Sequence, residues 1–400
     1  MSHYRIGIVF GGRSVEHEIS VLTAHQLIAA IDKEKYEVIP IYITKSGEWL
    51  TGNNLLDLDF FKKSQAEINR LCDTVWLNPS MPENRVLIKE NRKNWFQTIF
   101  NRQTAIPIDV FFPVLHGTNG EDGTIQGAFE IAKVPYVGCG VLSSAIGMNK
   151  IATKALLQSV GLPIIDFIGF NRYDWLTGNE KVIDEIKRKF NYPMFVKPAE
   201  LGSSIGISRV ADELELRSAV EVALIYGSQV LIESAQTECV EINCSVIGYN
   251  KFKASVCEQP IALSEFLKYE DKYLAGNKAH GMKGASRKIP APISPEFSAQ
   301  IQNAAIRAFK AIGGMGISRV DFLVNLKEEK FYVNEINTLP GSLAFYLWEA
   351  SGVNFSELIN QLINFAFEAH EDKQQTTYTY STPVFLGREA LQSSPKYSGK

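Results

Sequence analysis

Cysteine is scarce in this chain and poorly placed for its usual structural uses. The 400 residues hold five, Cys72, Cys139, Cys239, Cys244 and Cys257, an odd number without the close pairs of a zinc site. That spacing excludes a disulfide-stapled scaffold and a structural zinc, and leaves buried reduced thiols. An excess of positive charge is missing too. Against 41 Lys and Arg stand 44 Asp and Glu, a formal net charge of −3, so no global field exists to collect nucleic-acid backbones or anionic lipid. No apolar run approaches the roughly 18 residues that a membrane span needs. The opening MSHYRIGIVFGG enters an apolar strand with no basic flank before a long apolar stretch. The expectation is a cytosolic protein with neither nucleic acid nor membrane as partner.

What is present is ordinary globular composition, 45% hydrophobic and 21% charged, in a chain too long for one core, so two or three domains are expected. RIGIVF reads as a strand closing on Gly11 and Gly12, followed by a helix-like stretch from Val15 to Ile31. YEVIPIYIT, DVFFPVLHG and VPYVGCG read as further strands. Strands alternating with helices predict a parallel, doubly wound sheet over residues 1–140, with a polar insertion near 51–107. A helix from Asn149 to about Gly161 opens a block of shorter strands, taken as a small domain over 141–229. Residues 230–375 hold the strands VEINCSVIGY, FKASVCE, SRVDFLVN and FYVNEIN and a helix from Pro295 to Ile312, an α+β pattern; residues 376–400 form a Ser-, Thr- and Tyr-rich tail. No internal repeat is present.

The chemistry concentrates in a few segments. In SRVDFLVNLKEEKFYVNEINTLPG, Asp321 lies in one apolar strand while Glu335 and Asn337 lie two residues apart in the next, hence on one face. Together they make a set of hard oxygen ligands suited to magnesium, with Arg319 on the same side as Asp321. In YPMFVKPAELGSSIGISRV a strand ends at Lys197 and runs into a loop whose Gly202, Ser203, Ser204 and Gly206 let backbone N–H groups approach an anion. In PVLHGTNGEDGTIQG, His116 ends a strand and a glycine turn leads to Glu121 and Asp122, at the edge where ligands of open α/β sheets bind. FGGRSVEHEIS places Glu16 near a helix start. The long stretch EFLKYEDKYLAGNKAHGMKGASRKIPAPIS, dense in Lys and Tyr, reads as a functional loop in which Lys272 and Tyr273 stand out.

GGRSVEHEIS, HGTNGEDGTIQG, KPAELGSSIG, YEDKY and RVDF followed by NEINTLPG, in this order, resemble the D-alanine:D-alanine ligases of the ATP-grasp superfamily, from about Ile6 to Gly352. The resemblance implies an ATP-grasp fold, α/β and α+β, behind an N-terminal Rossmann-like domain. It implies that Lys150 and Lys197 hold ATP phosphates, with Gly202 and Ser204 in the phosphate loop, that Glu233 sits by the adenine, and that Glu241 contacts the ribose. Asp321, Glu335 and Asn337 would bind two Mg2+ ions, or Mn2+. Lys272 would reach the transferred phosphoryl group, and Arg319 with the Gly341 amide would stabilise the tetrahedral intermediate. Glu16 would take the first D-alanine's ammonium, with Ser203 and Tyr273 completing a hydrogen-bonded set and His116 beside that substrate.

The implied reaction joins two D-alanines through an acyl-phosphate for peptidoglycan synthesis, in a protein of homodimeric habit. An alternative keeps the ATP chemistry with another D-amino acid or small carboxylate as donor or acceptor. It is motivated by NTLPGSLAFYLWEASG, which is shorter than the family segment and puts Ser342 in the place of the acceptor-site serine. Asn149 stands where the family usually has aspartate, the AGNKAHGMKGASRK portion is longer and more basic than usual, and Tyr273 favours an amine acceptor.

Overall fold

The computed structural model describes residues 3–80, 87–89, 104–202, 205–236, 238–261 and 287–379. Ser203, Ser204, Lys272 and Tyr273 lie outside these residues, as does the tail from residue 380.

The first domain opens with β1 (Tyr4–Gly11), α1 (His17–Ala30) and β2 (Tyr36–Ile43), then β3 (Trp49–Thr51), α2 (Gln65–Leu71), β4 (Asp73–Leu77), β5 (Leu87–Lys89), β6 (Thr104–Ile106) and β7 (Val110–Pro113). These seven strands form one sheet in the order β6-β5-β4-β3-β2-β1-β7. Only β2, β1 and β7 run parallel, whereas β3 to β6 join antiparallel. The insertion near 51–107 therefore lengthens the sheet with hairpin strands. β1 is apolar on both faces, Ile6, Ile8, Val9 and Phe10 all being fully buried, as a strand covered on both sides must be.

α3 (Thr124–Ala132) follows. The segment VPYVGCG, expected to be a strand, makes a single parallel bridge, Phe111 to Tyr136. Gly138, at φ 99°, ends that pairing: a β-carbon on Gly316 would stand 2.7 Å from the Gly138 α-carbon. The chain is bent there into a joint without room for a side chain on Gly316.

α4 (Val141–Met148) and α5 (Lys150–Ser159) come next, then β8 (Phe167–Asn171), α6 (Arg172–Lys189), β9 (Met194–Pro198), β10 (Ser208–Val210), α7 (Glu213–Tyr226) and β11 (Gln229–Ser234). The sheet here is four-stranded, ordered β10-β9-β11-β8 and antiparallel throughout. Two details correct the expected boundaries. The division at 229/230 falls inside β11, which the four-stranded sheet keeps through Ser234. Within residues 141–165, Leu157 and Leu162 share a core with the next sheet.

That next sheet is built from β12 (Val240–Gly248), β13 (Phe252–Pro260), β14 (Arg287–Lys288), β15 (Gly316–Asn325) and β16 (Lys330–Asn337), in the order β14-β13-β12-β15-β16. α8 (Pro295–Ala311), capped by Ser294 with proline in its first turn, buries Phe297, Ile301, Ala305 and Phe309 against one face. α9 (Phe345–Ala350) and α10 (Phe355–Gln374) complete the fold. α10 carries Phe355, Leu358, Ile359, Leu362, Ile363 and Ala366 into the core that also holds Ile6, Phe10 and Phe112 of the first domain. At helical spacing these make one apolar stripe, and each fully buried Leu or Ile contributes about 1.5–3 kcal/mol over exposure. α10 is thus a principal weld between the first and last sheets. No helix among the described residues is long and apolar enough to cross a membrane.

Candidate active site

Strand alternation puts Val320, Phe322 and Val324 of β15 against α8, so Arg319 and Asp321 face the other way. On β12 the same alternation buries Ile242, Cys244 and Val246 and turns Glu241, Asn243 and Ser245 to the site face. Register aligns these positions into rows: Glu258 opposite Asn243, Asn243 opposite Asp321, and Asp321 opposite Glu335. A β-bulge decides the last pairing. Asp321 pairs with Glu335 but Phe322 with Val333, so Asn334 is the extra residue. Without it Val333 and Glu335 would share a face; with it Val333 stays in the core and Glu335 and Asn337 turn to the site.

Arg319 grips Asp321 with two donors, Nε to Oδ1 at 2.6 Å and Nη2 to Oδ2 at 2.7 Å, and Asn337 Nδ2 donates to Oδ2 at 2.9 Å. Burial pushes the Asp321 carboxyl up to about 7, with Glu241 and Glu335 adding to the rise, and Arg319 opposes them. Burial is the larger cause of that rise and the neighbouring carboxylates the smaller, and a cation bound beside Asp321 would favour its charged form. The donor set of Asp321, Glu335 and Asn337 fits a hard divalent cation. It has two carboxylates and one amide; among the described residues no three His, Cys, Asp or Glu side chains converge on one point.

The nucleotide side of the site is tied together by a buried triad. Glu233 on β11 accepts from Lys197 of β9, and Lys154 of α5 lies 2.9 Å from its other oxygen, with side-chain exposures of 1%, 10% and 2% for Glu233, Lys197 and Lys154. Burial alone would raise the Glu233 carboxyl, yet the two ammonium groups hold it down to about 2. Burial lowers the Lys154 ammonium. Lys150 donates its backbone N–H to Ala199 O at 2.8 Å and its Nζ to Leu201 O at 2.6 Å. Asn149 caps α5 through the Ala152 N–H and reaches Glu200 and Gln229 through Nδ2. It keeps the capping role that an aspartate would have.

Across the joint, Glu16 is buried at the start of α1. A methyl group on Gly117 would stand 2.7 Å from its Oε2, and one on Gly202 3.3 Å, so two glycines from two different domains enclose this carboxylate. Glu121 lies nearby; its Oε2 accepts from Gly117 N–H at 2.7 Å, and burial followed by the charge of Glu16 pushes its carboxyl up to about 8. His116 is buried with Nε2 3.2 Å from Thr23 Oγ1, and burial lowers its imidazole to about 4. Both His116 and Glu121 bond to the main chain of Leu339, which connects this side to the turn after β16. That turn is unusual. Ser342, Leu343 and Ala344 have φ of 51°, 52° and 46°, three successive left-handed residues without a glycine among them, each costing about 1–2 kcal/mol. Such strain persists where burial overrides it, and Leu343 and Ala344 are fully buried. Ser342 is buried with its N–H 3.5 Å from Thr23 Oγ1.

The fold is shared with known enzymes. Residues 5–139 match the family model described as D-ala D-ala ligase N-terminus, and residues 156–364 the model described as D-ala D-ala ligase C-terminus. The chain belongs to the D-alanine–D-alanine ligase family. Relatives of that name include proteins of Thermosipho africanus, 39% identical over 380 residues and covering 95% of this chain and 98% of the relative, and of Heliobacterium modesticaldum, 41% identical over 379 residues, 94% and 98%. Among solved structures, the D-alanine-D-alanine ligase from Coxiella burnetii superposes with a TM-score of 0.76 at 28% identity, covering 98% of this chain and all of that one. The VanG D-Ala:D-Ser ligase from Enterococcus faecalis does so at 0.75 and 31%, covering 91% of this chain and all of that one.

Of the residues expected from sequence, Arg319, Asp321, Glu335, Asn337 and Glu241 come together on one sheet face in this ligase fold, and Glu16 and His116 gather on the first domain. Glu233 joins Lys197 in an ion pair. Sequence reading passed over Lys154, Asn243, Glu258, Arg287 and Tyr346. Lys154 stands three residues before Leu157 on the buried stripe of α5. Glu258 accepts from Tyr346 Oη at 2.8 Å and from Arg287 Nη1 at 3.1 Å.

Proposed function

We propose that the protein is an ATP-dependent ligase that joins two D-alanines into D-alanyl-D-alanine, releasing ADP and phosphate. The observation that carries this reading is the polarity of the site. Carboxylates Glu16 and Glu121 lie on one side and the Arg319–Asp321 pair, with Glu335 and Asn337, on the other, linked through Leu339.

In this reading Glu16 binds the ammonium of the first D-alanine, with Ser203 and Tyr273 in its hydrogen-bonded set and His116 beside the substrate. Lys150, Lys197, Gly202 and Ser204 hold the phosphates of ATP, Glu233 lies by the adenine and Glu241 by the ribose. The first carboxylate takes the γ-phosphoryl group, which Lys272 reaches. The second amine attacks the resulting acyl-phosphate while Arg319 and the Gly341 N–H stabilise the oxyanion. Asp321, Glu335 and Asn337 would hold magnesium ions, which neutralise phosphate charge when bound. Positioning and charge neutralisation supply most of the acceleration. A cytosolic, homodimeric enzyme that supplies a peptidoglycan precursor belongs to the same reading.

A second reading keeps the mechanism and changes the acceptor, favoured by the likeness to a D-Ala:D-Ser ligase structure. Phosphate release from ATP and magnesium with D-alanine, D-serine, L-alanine or D-lactate, with products identified by mass, separates the two. D-alanyl-D-alanine as the dominant product supports the first; a mixed dipeptide alone selects the second.

A further inference from the structure

The acceptor of this reaction is a zwitterion whose carboxylate needs a cation held in fixed geometry. The register supplies one. Arg287 pairs with Pro260 on β13, two residues from Glu258, and so shares the site face with Glu258, Asn243 and Asp321. Its guanidinium carbon lies over the Tyr346 ring, 4.0 Å from the ring centroid, and its Nη1 donates to Glu258 Oε2 at 3.1 Å. Tyr346 donates to the other Glu258 oxygen at 2.8 Å. One buried carboxylate thus holds both a guanidinium and a phenol. Tyr346 stands two residues after the left-handed turn Ser342–Ala344, and Arg319 is in electrostatic contact with both Tyr346 and Glu258. That turn buries Ser342 toward Thr23 of the first domain and brings Tyr346 to the sheet face.

We propose that Arg287, held in place by Tyr346 and Glu258, binds the carboxylate of the acceptor amino acid and sets acceptor selectivity, a role that the shortened segment after Gly341 would otherwise leave to Ser342. The assignment rests on the ligase reading. A guanidinium already held over a ring by a carboxylate gives a substrate carboxylate a preoriented, charge-assisted partner, which the neutral hydroxyl of Ser342 does not.

The test separates the two half-reactions of the full-length enzyme. With ATP, magnesium and D-alanine, the donor acyl-phosphate is trapped by hydroxylamine as the hydroxamate, and dipeptide synthesis gives the acceptor KM. Arg287→Gln is expected to raise the acceptor KM about thirtyfold while hydroxamate formation stays within about twofold, and Tyr346→Phe to raise it severalfold. Because Arg287→Gln leaves Glu258 uncompensated, Arg287→Lys is the second variant. It keeps the charge, loses the planar fork, and is expected to retain hydroxamate formation with an intermediate acceptor KM. Parallel loss of hydroxamate and dipeptide in Arg287→Lys, or an unchanged acceptor KM in either Arg287 variant, overturns the assignment. A wild-type enzyme that forms hydroxamate but no dipeptide from D-amino acids overturns the ligase reading itself, and the assignment with it.

Discussion

Replacing Glu233 by glutamine tests the electrostatics that join α5 to the four-stranded sheet. In the native protein the carboxyl is held at about 2 against an ordinary 4.5, which contributes about 3 kcal/mol to folding at neutral pH. Glutamine keeps the shape and removes the charge, leaving Lys154 and Lys197 buried side by side without their shared anion. Losing one member of a buried ion pair costs about 3–5 kcal/mol, in agreement with the value from the carboxyl. Amide exchange across β9 and β11 should therefore accelerate by about a hundredfold or more at pH 7.5.

The sign of the pH dependence follows from the lowered carboxyl. Its contribution is complete above pH 4.5 and is lost as pH falls through about 2, so wild type and variant should converge toward pH 2. The double variant Glu233→Gln with Lys154→Met removes the stranded ammonium with the carboxylate and should recover half or more of the loss, as apolar replacement of a buried pair does. Native-like exchange in Glu233→Gln, or a double variant worse than the single, would refute the reasoning.

Arg319→Ala should cut turnover by about a hundredfold or more, the cost of losing an oxyanion donor; equal turnover removes that role. Asp321→Asn should weaken the magnesium dependence and ATP turnover together, and an unchanged magnesium titration takes Asp321 out of the metal site. Gly117→Ala sets a methyl group 2.7 Å from Glu16 Oε2 at a φ of 72°, so the KM for the donor should rise by about tenfold or more, measured as D-alanine-dependent hydroxamate formation; a wild-type value shows that Glu16 does not bind the donor. His116, lowered to about 4 from 6.5 by burial, favours the neutral ring in the folded state. Stability should be full above pH 6.5 and fall toward pH 4 by about 3 kcal/mol. His116→Gln should lack that slope in urea titrations, and equal slopes would exclude His116 as its source.

Much of the site was legible because strand alternation is a two-residue code. Asp321 between Val320 and Phe322, and Asn337 after Ile336, announce a polar face on an otherwise buried sheet, and the structure puts them there. The code fails where the backbone breaks its period. Nothing in FYVNEIN says that Asn334 is a bulge, yet that one residue lets Val333 serve the core and Glu335 the site. The same limit explains VPYVGCG, apolar enough for a strand but bent at Gly138 by the approach of Gly316, nearly 180 residues away in sequence, a contact no local pattern contains. It explains Lys154 as well. A lysine on an apolar stripe is normally read as solvated, and only the fold shows that Glu233, from a strand of another sheet, supplies the charge that makes its burial tolerable. Long-range charge balance, unlike periodicity, becomes visible only when the elements meet. Residues that carry such balance, Glu258 with Arg287 and Tyr346 among them, are therefore those a sequence reading passes over and a structure adds to the site.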